Sequence, residues 1–340
     1  MTPDTERRAA ARRGEQMQGT RARSVGIVAG LVAALAFATS GPVVKPLLAA
    51  GWTPGAAILV RLWLGALLLA GPAAWALRGR RHVLRAEWRT VVGLGLLGVA
   101  GASTFYFLAV DRLPVAVALL VEYTGPLLLL GWSWFRTRRT PSRATLAGAA
   151  LAMAGLVLVL DVTGSLELDA LGLVYACVAA IGNAAYFALT ARPIALPPVS
   201  LAGSAMLVGA LTVTLVALVG ILPVAAPRVQ VTMLGAQVEW FVPLLVVGAV
   251  PTAFAYGVSA VSVRLLGERL ASFLALMEVL FAVLLAWLLL GEAPLAIQVL
   301  GAALVVTGVA LVRSGAASDG ELRDGTPEPV LPPVREPART

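Results

Sequence analysis

The two halves of this chain repeat one another, and each half carries one glutamate inside an otherwise apolar stretch. Residues 116–128 (AVALLVEYTGPLL) align without gaps on residues 272–284 (SFLALMEVLFAVL), so that Glu122 falls on Glu278. The match continues outward with small changes of length. Each half contains five membrane-length apolar segments, and copies with an odd number of spans must lie in the bilayer in opposite orientations.

The apolar segments predict a membrane protein rather than a soluble domain. Only 13% of the residues are charged and 59% are hydrophobic, whereas soluble domains carry about a quarter charged residues. Each segment approaches or exceeds the ~17 residues that a helix needs to cross the hydrocarbon core. The predicted fold is an all-α polytopic membrane protein with ten transmembrane helices in two inverted five-helix repeats. The predicted spans are 25–48, 54–77, 90–110, 114–135, 144–161, 170–190, 200–222, 240–263, 270–290 and 294–312.

The basic residues predict the orientation. With both termini in the cytoplasm, 22 of the 26 lysines and arginines fall on the inner side and three on the outer side, which is the positive-inside pattern. The net charge of +8 therefore indicates topology and contact with anionic lipid, and no nucleic-acid partner is expected. The high proportion of arginine over lysine fits a GC-rich bacterial genome, and the predicted location is the cytoplasmic (inner) membrane of a bacterium.

The domain organisation follows from the same pattern. Residues 25–163 and 164–313 are the two repeats. Residues 1–24 and 314–340 are rich in charge, proline or glycine, so we expect them to be disordered cytoplasmic tails. The sequence gives no oligomeric state.

No motif in the chain indicates an enzyme or a cofactor. Gly93, Gly95 and Gly98 spell GxGxxG, but they lie inside an apolar span with no preceding strand, so they indicate close helix packing. His82 and Cys177 are the only residues of their kinds, which leaves no metal cluster and no histidine base within the membrane. We therefore predict no catalytic residue, no metal and no cofactor.

Three charged residues lie within the predicted spans and away from their ends, and they are the main indication of function. Arg61, Glu122 and Glu278 each carry an insertion cost of about 2.5–3.5 kcal/mol, so such residues are retained mainly where they face a partner or a cavity. Arg61 and Glu122 share a depth, roughly 10 and 12 Å below the outer surface. Two interpretations stay open: a structural ion pair between the second and fourth spans, or a place for at least one residue in a substrate path.

The surroundings of the two glutamates differ in sequence. Pro126 has no N–H to bond the Glu122 carbonyl, so a carboxylate and a free backbone acceptor occur together. Glu278 has Ala282 at the equivalent place, and its helix is expected to be continuous. A carboxylate in a low-dielectric interior can exchange a proton, so protons are a candidate coupling ion at Glu278, with a permanently protonated, hydrogen-bonded side chain as the alternative.

Two further spans are interrupted by proline. Pro42 follows Thr39 and Ser40 in the first span, and Pro251 frees the Val247 carbonyl in the eighth. Broken helices near the midplane are typical of transporter binding sites, and tyrosines could form aromatic walls there. The candidate substrate-binding or coupling residues are Thr39, Ser40, Arg61, Tyr106, Glu122, Tyr123, Asn183, Tyr186, Tyr256 and Glu278.

Four stretches resemble a known family. ILVRLWLGALLL in the second span, FAVLLAWLLLGE at the end of the ninth and GAALVVTGVALV after it resemble the EamA family of the drug/metabolite transporter superfamily, over about residues 25–313. FYFLAVDRLPVAVALLVEYTGPLLLL is similar to the branch that includes threonine/homoserine exporters. The chain departs from the family at Val279, where members often have proline, and its second half has no counterpart of Arg61.

The resemblance implies ten helices around a central cavity and the export of amino acids or other small metabolites. Together with the odd-number repeat, it favours a secondary transporter that binds a small-molecule substrate by alternating access. The alternative is a membrane-embedded scaffold or enzyme without transport activity. An enzyme would need a nucleophile with a base, or a metal cluster, at one depth, and a scaffold would need no polar centre.

Overall fold

The computed structural model describes residues 3–79, 81–110, 112–113, 115–138, 140–159, 169–233, 235–290 and 295–324. This part of the chain is almost entirely helical, with two π-helical segments and one β-hairpin. The α-helices are α1 (Pro3–Ala38), α2 (Ser40–Ala49), α3 (Pro54–Ala76), α4 (Arg81–Ala86), α5 (Trp88–Gly93), α6 (Ala102–Val110), α7 (Val115–Glu122), α8 (Gly125–Thr137), α9 (Arg143–Val159), α10 (Ala170–Thr190), α11 (Pro198–Leu218), α12 (Phe241–Gly248), α13 (Ala255–Ala275), α14 (Met277–Leu290) and α15 (Ala296–Asp324). The π-helical segments are π1 (Leu94–Gly101) and π2 (Ala249–Phe254), and strands β1 (Gln230–Met233) and β2 (Ala236–Glu239) pair antiparallel.

The described helices make this a multi-pass membrane protein. Six are long and apolar enough to cross a membrane. Two shorter apolar helices, Arg143–Leu158 and Ala296–Val312, coincide with the predicted fifth and tenth spans. The six longer ones are Arg21–Ala38, Pro54–Ala76, Trp88–Ala109, Ala170–Thr190, Pro198–Leu218 and Phe241–Ala275.

The count of ten spans stays a prediction, because several helices begin or end inside the predicted segments. The predicted fourth span is divided into α7 and α8. Helix α13 continues through the predicted boundary between spans 8 and 9, and Gly267 in it has φ 79° and ψ 167°, a conformation open to glycine because it lacks a Cβ. The predicted ninth span therefore starts in α13 and continues in α14, with Leu276 between them.

The tails differ from the expected disorder over part of their length. Helix α1 begins at Pro3 and α15 continues to Asp324, so residues 3–24 and 314–324 are helical. Alanine, arginine, glutamate and glutamine are strong helix formers, and they allow both membrane helices to extend past the apolar segments. The predicted boundaries of the two repeats stay predictions.

Helices α9 and α15, which end the two halves, pack with their backbones in contact. A Cβ atom at Gly148 would lie 2.6 Å from the Gly308 carbonyl oxygen, and one at Gly155 would lie 2.6 Å from the Gly301 carbonyl oxygen. Gly148 and Gly301 each begin the sequence GAAL, and Gly155 and Gly308 follow seven residues later. The two contacts therefore exchange when the halves are exchanged, as expected at a two-fold axis relating inverted repeats.

Other helix contacts follow the same symmetry. Helix α3, the second predicted span, packs on α11, the seventh. Helix α1 packs on α13, and its counterpart α10 packs on α6. Each half therefore builds its core from helices of the other half, and the centre of the molecule lies between the repeats.

The connections between helices separate onto two faces. On one face, Trp52 Nε1 donates to the Pro227 carbonyl at 2.9 Å, and Arg112 forms an ion pair with Asp169 at 3.4 Å. These contacts join the connections that the sequence places on the outer side. The opposite face collects the connections predicted to be cytoplasmic, where Arg264 Nη1 donates to the Ile194 carbonyl at 2.9 Å.

Candidate functional site

Glu122 lies at a helix break in the centre of the molecule. It is the last residue of α7, and α8 begins at Gly125, so the break predicted from Pro126 is confirmed. The Thr124 hydroxyl donates to the Val121 carbonyl at 2.6 Å and stabilises the end of α7. The Glu122 side chain is half-buried.

Glu278 lies in a helix that continues past it, as expected from Ala282 at the position equivalent to Pro126. It is the second residue of α14, which runs from Met277 to Leu290. Leu276, which separates α13 from α14, keeps helical backbone angles of φ −59° and ψ −21°. The two glutamates therefore differ in backbone environment, since α7 ends at Glu122 and α14 continues through Glu278.

Polar side chains from other helices reach the two glutamates. The Asn183 amide of α10 lies next to Glu122, and the Tyr123 hydroxyl lies next to Glu278. Tyr106 is close enough to both carboxylates to interact with them electrostatically. The two halves of the chain therefore contribute to a single polar cluster, as the repeat predicts.

Arg61 belongs to this cluster without forming an ion pair. The side chain is 9% exposed, and its guanidinium carbon lies 6.0 Å from the centroid of the Phe107 ring. Arg61 makes no salt bridge to any residue that the structure describes, and its Nε is buried without a hydrogen-bond partner. The ion pair considered between Arg61 and Glu122 is therefore absent, because the guanidinium lies against an aromatic ring instead.

The charge of Arg61 nevertheless reaches the rest of the cluster. It interacts electrostatically with Glu122 and Glu278, and also with Tyr106 and Tyr256. A buried cation thus faces two carboxylates across a gap longer than a salt bridge. This arrangement can accept a solute that carries charges of both signs.

Aromatic rings form one wall of the cluster. The Tyr256 ring packs edge-on against Phe37 at 5.1 Å and against Tyr186 at 5.5 Å between centroids. The Tyr186 hydroxyl is buried and makes no hydrogen bond, although the Ser259 side chain lies next to it. The predicted tyrosines of the two halves are therefore brought together.

Three members of the cluster were missed in the sequence. Phe37 packs on Tyr256, Ser103 lies next to the Tyr256 hydroxyl, and Ser259 lies beside Tyr186. Ser103 precedes Tyr106 by three residues, and Ser259 follows Tyr256 by three. Residues three apart share one face of a helix, so this spacing was the available signal.

Thr39 and Ser40 are not joined to the cluster by hydrogen bonds in the described part of the chain. The Thr39 hydroxyl donates to the Ala36 carbonyl at 2.7 Å, and Ser40 begins α2. In the structure, Thr39 and Ser40 therefore lie at the junction of α1 and α2 in the first predicted span. The site role predicted for them stays a prediction.

At Pro251, where a break was expected, the chain forms a π-helical segment. The Val247 carbonyl, which Pro251 cannot bond, accepts a hydrogen bond from a side chain instead. The Thr252 hydroxyl donates to the Val247 carbonyl at 2.7 Å, so this carbonyl is no open ligand. Segments π1 and π2 occupy corresponding places in the two halves, just before Tyr106 and Tyr256. Such segments occur frequently at functional sites. Among the described residues, no group of three His, Cys, Asp or Glu side chains could hold a metal ion.

Comparisons with known proteins agree with this arrangement. The model of the EamA-like transporter family matches residues 24–161 and 170–314, which confirms the resemblance at the level of the family; the exporter branch stays a prediction. A solved crystal structure matches with a TM-score of 0.71 and 23% identity, covering 86% of this chain and 98% of the other. At that identity it shows a shared fold alone. No curated protein matches the chain.

Proposed function

Because the chain belongs to the EamA-like transporter family, we propose that it is a secondary transporter that exports a small zwitterionic metabolite, an amino acid or a related compound. Membership of the family makes it a membrane transporter of small solutes. The charge of the substrate, the direction and alternating access are the proposal. The observation that supports it is the buried, unpaired Arg61 facing Glu122 and Glu278.

The charges of the cluster suit an amino acid. A buried charge without a partner is costly, so Arg61 favours a substrate carboxylate that could bond to the guanidinium. The carboxylates of Glu122 and Glu278 would attract the substrate ammonium group. The neighbouring tyrosine rings add a cation–π attraction of about 0.5–2 kcal/mol for the same group.

The symmetry of the fold suits alternating access. In inverted-repeat transporters the substrate lies where the repeats meet, and one half rocks against the other. The cluster here draws Arg61 and Glu122 from the first half and Tyr256 and Glu278 from the second. We propose the predicted topology with it: ten spans, both termini in the cytoplasm and a bacterial cytoplasmic membrane.

The test is a counterflow assay with purified protein in sealed vesicles. Vesicles loaded with a radiolabelled amino acid mixture are challenged with single amino acids, with the matching amines that lack the carboxylate, and with the matching acids that lack the ammonium. We expect the amino acids that are transported to compete at least about tenfold better than either truncated form, since each loses one charge-assisted bond.

The role of Arg61 is tested by Arg61→Gln. This change should reduce the preference for an amino acid over its amine, while the preference over the deaminated acid should persist. Arg112→Gln is the matched control, because Arg112 forms an exposed ion pair far from the cluster and should leave both preferences unchanged. Equal competition by amino acids and amines in the wild type would refute the zwitterion proposal, and absence of flux for every solute would refute transport.

A further inference from the structure

A groove on the surface of the helix bundle is lined by none of the cluster residues, although Met277 in its wall directly precedes Glu278. It runs between α1, the α13–α14 segment and α15, and has a volume of about 510 Å³. Arg23 and Ser314 line it together with Ala310. Its apolar walls consist of Ile27, Leu270, Leu274, Met277, Val306 and Val309.

The polar residues of the groove share one end. Arg23 lies one turn before Ile27 on α1, and Ser314 lies two turns after Val306 on α15. The same end of α15 packs on the start of α9 and the residue before it, where a Cβ at Gly315 would contact the Thr145 and Ser142 hydroxyls. The connection before α9 is predicted to be cytoplasmic, so the polar end of the groove lies on the predicted cytoplasmic side.

The apolar part of the groove has the dimensions of a lipid tail segment. From Leu270 to Met277 the wall extends roughly 10 Å along the helix axis at 1.5 Å per residue. The apolar part of the groove is therefore long enough to hold several methylene groups of an acyl chain. A bound hydrocarbon chain would be stabilised by about 0.8 kcal/mol for each methylene group that it buries.

We propose that this groove binds an anionic phospholipid, with one acyl chain along the apolar walls and the phosphate at Arg23. Basic pockets between transmembrane helices on the cytoplasmic side are typical sites for anionic headgroups. Six arginines lie in residues 1–23, which raises the local concentration of such lipids. The assignment concerns lipid binding and is independent of any transported solute.

The test is native mass spectrometry of the full-length protein in detergent. The protein is titrated with phosphatidylglycerol and with phosphatidylcholine of identical acyl chains. We expect phosphatidylglycerol to bind at least about tenfold more tightly, the value of one charge-assisted hydrogen bond. Arg23→Gln should remove this preference while leaving phosphatidylcholine binding unchanged.

Two matched controls separate a built site from general attraction. Arg21 is an exposed arginine two residues away on the same helix, and Arg21→Gln should weaken phosphatidylglycerol binding by less than about fivefold, the effect of one charge near a membrane surface. Val306→Trp should fill the groove and weaken both lipids. Leu300→Trp, on the same helix but outside the groove, should bind both as the wild type does.

Three results would overturn the assignment. If Arg21→Gln and Arg23→Gln weaken phosphatidylglycerol binding equally, the lipid is attracted by the charge of the tail and not by a specific site. If Val306→Trp leaves lipid binding unchanged, the lipid does not bind in the groove. Release of phosphatidylglycerol by excess glycerol phosphate would identify a phosphate site without a chain pocket. Ala310→Trp is a second groove-filling variant if Val306→Trp is not monodisperse.

Discussion

The contact between α9 and α15 leaves no room for a side chain, so a single methyl group should destabilise the protein. In Gly308→Ala the new Cβ would lie 2.5 Å from the Ala152 nitrogen and 2.6 Å from the Gly148 carbonyl oxygen, whereas ordinary contacts begin at 3.4 Å. The helices must therefore separate by about 0.9 Å, the difference between 3.4 and 2.5 Å. Overpacking of this kind costs about 1–3 kcal/mol.

The assay is the apparent Tm of purified protein, followed by size-exclusion chromatography after heating. We expect Gly308→Ala to lower Tm by roughly 2–12 °C, at about 2–4 °C per kcal/mol. Gly148→Ala should do the same, and the double variant should lose less than the sum, because the first separation makes room for the second methyl group.

Gly131→Ala is the control for these variants. No atom lies within 4 Å of a Cβ at Gly131, and replacing glycine by alanine within a helix favours the helix by up to about 1 kcal/mol. We expect its Tm to equal or exceed that of the wild type. A Gly308→Ala protein as stable as Gly131→Ala, or fully additive losses in the double variant, would refute the close contact.

Three further predictions concern coupling, topology and the π-helical break. Glu278→Gln should still exchange substrate across vesicles and should lose accumulation driven by a pH gradient, because glutamine cannot release a proton. In a Cys177→Ser background, Thr232→Cys in the β-hairpin should react with membrane-impermeant thiol reagents outside intact cells, and Arg138→Cys should not. Thr252→Val should lower the stability by about 1–3 kcal/mol, since it leaves a buried carbonyl without its hydroxyl partner; the assay is again the apparent Tm.

Each of these predictions has a distinct contrary result. Wild-type transport that ignores an imposed pH gradient, or a Glu278→Gln protein that responds normally, would make Glu278 a packing residue. External labelling at Arg138→Cys would reverse the orientation. Thr252→Ser retains the hydroxyl and should have the Tm of the wild type. If Thr252→Val and Thr252→Ser lower Tm equally, the lost hydrogen bond is not the cause.

The repeat made the centre of the molecule predictable from sequence. Inverted copies place equivalent segments about one axis, so Glu122 and Glu278 were expected to lie in the same region. The aligned tyrosines Tyr106 and Tyr256 were expected there for the same reason. Proline chemistry also predicted the end of α7, since Pro126 cannot continue the hydrogen-bond ladder. The family was recognisable from the same spans.

The direction in which each side chain points could not be predicted from the sequence. Depth along a span follows from counting residues, but rotation about the helix axis depends on packing, and it turned Arg61 toward Phe107 instead of Glu122. Phe37 lies among other apolar residues of its span, and nothing in its local sequence distinguishes a ring that packs on Tyr256 from a lipid-facing ring.

The glycine contacts between α9 and α15 map onto each other when the two halves are exchanged. They therefore affect how the protein could change shape. If the two halves trade conformations, every contact between non-equivalent helices becomes a different contact, but Gly148 with Gly308 becomes Gly301 with Gly155. In the alternating-access cycle that we propose, this interface could therefore keep one geometry in both end states. It would stabilise the two states equally and favour neither direction.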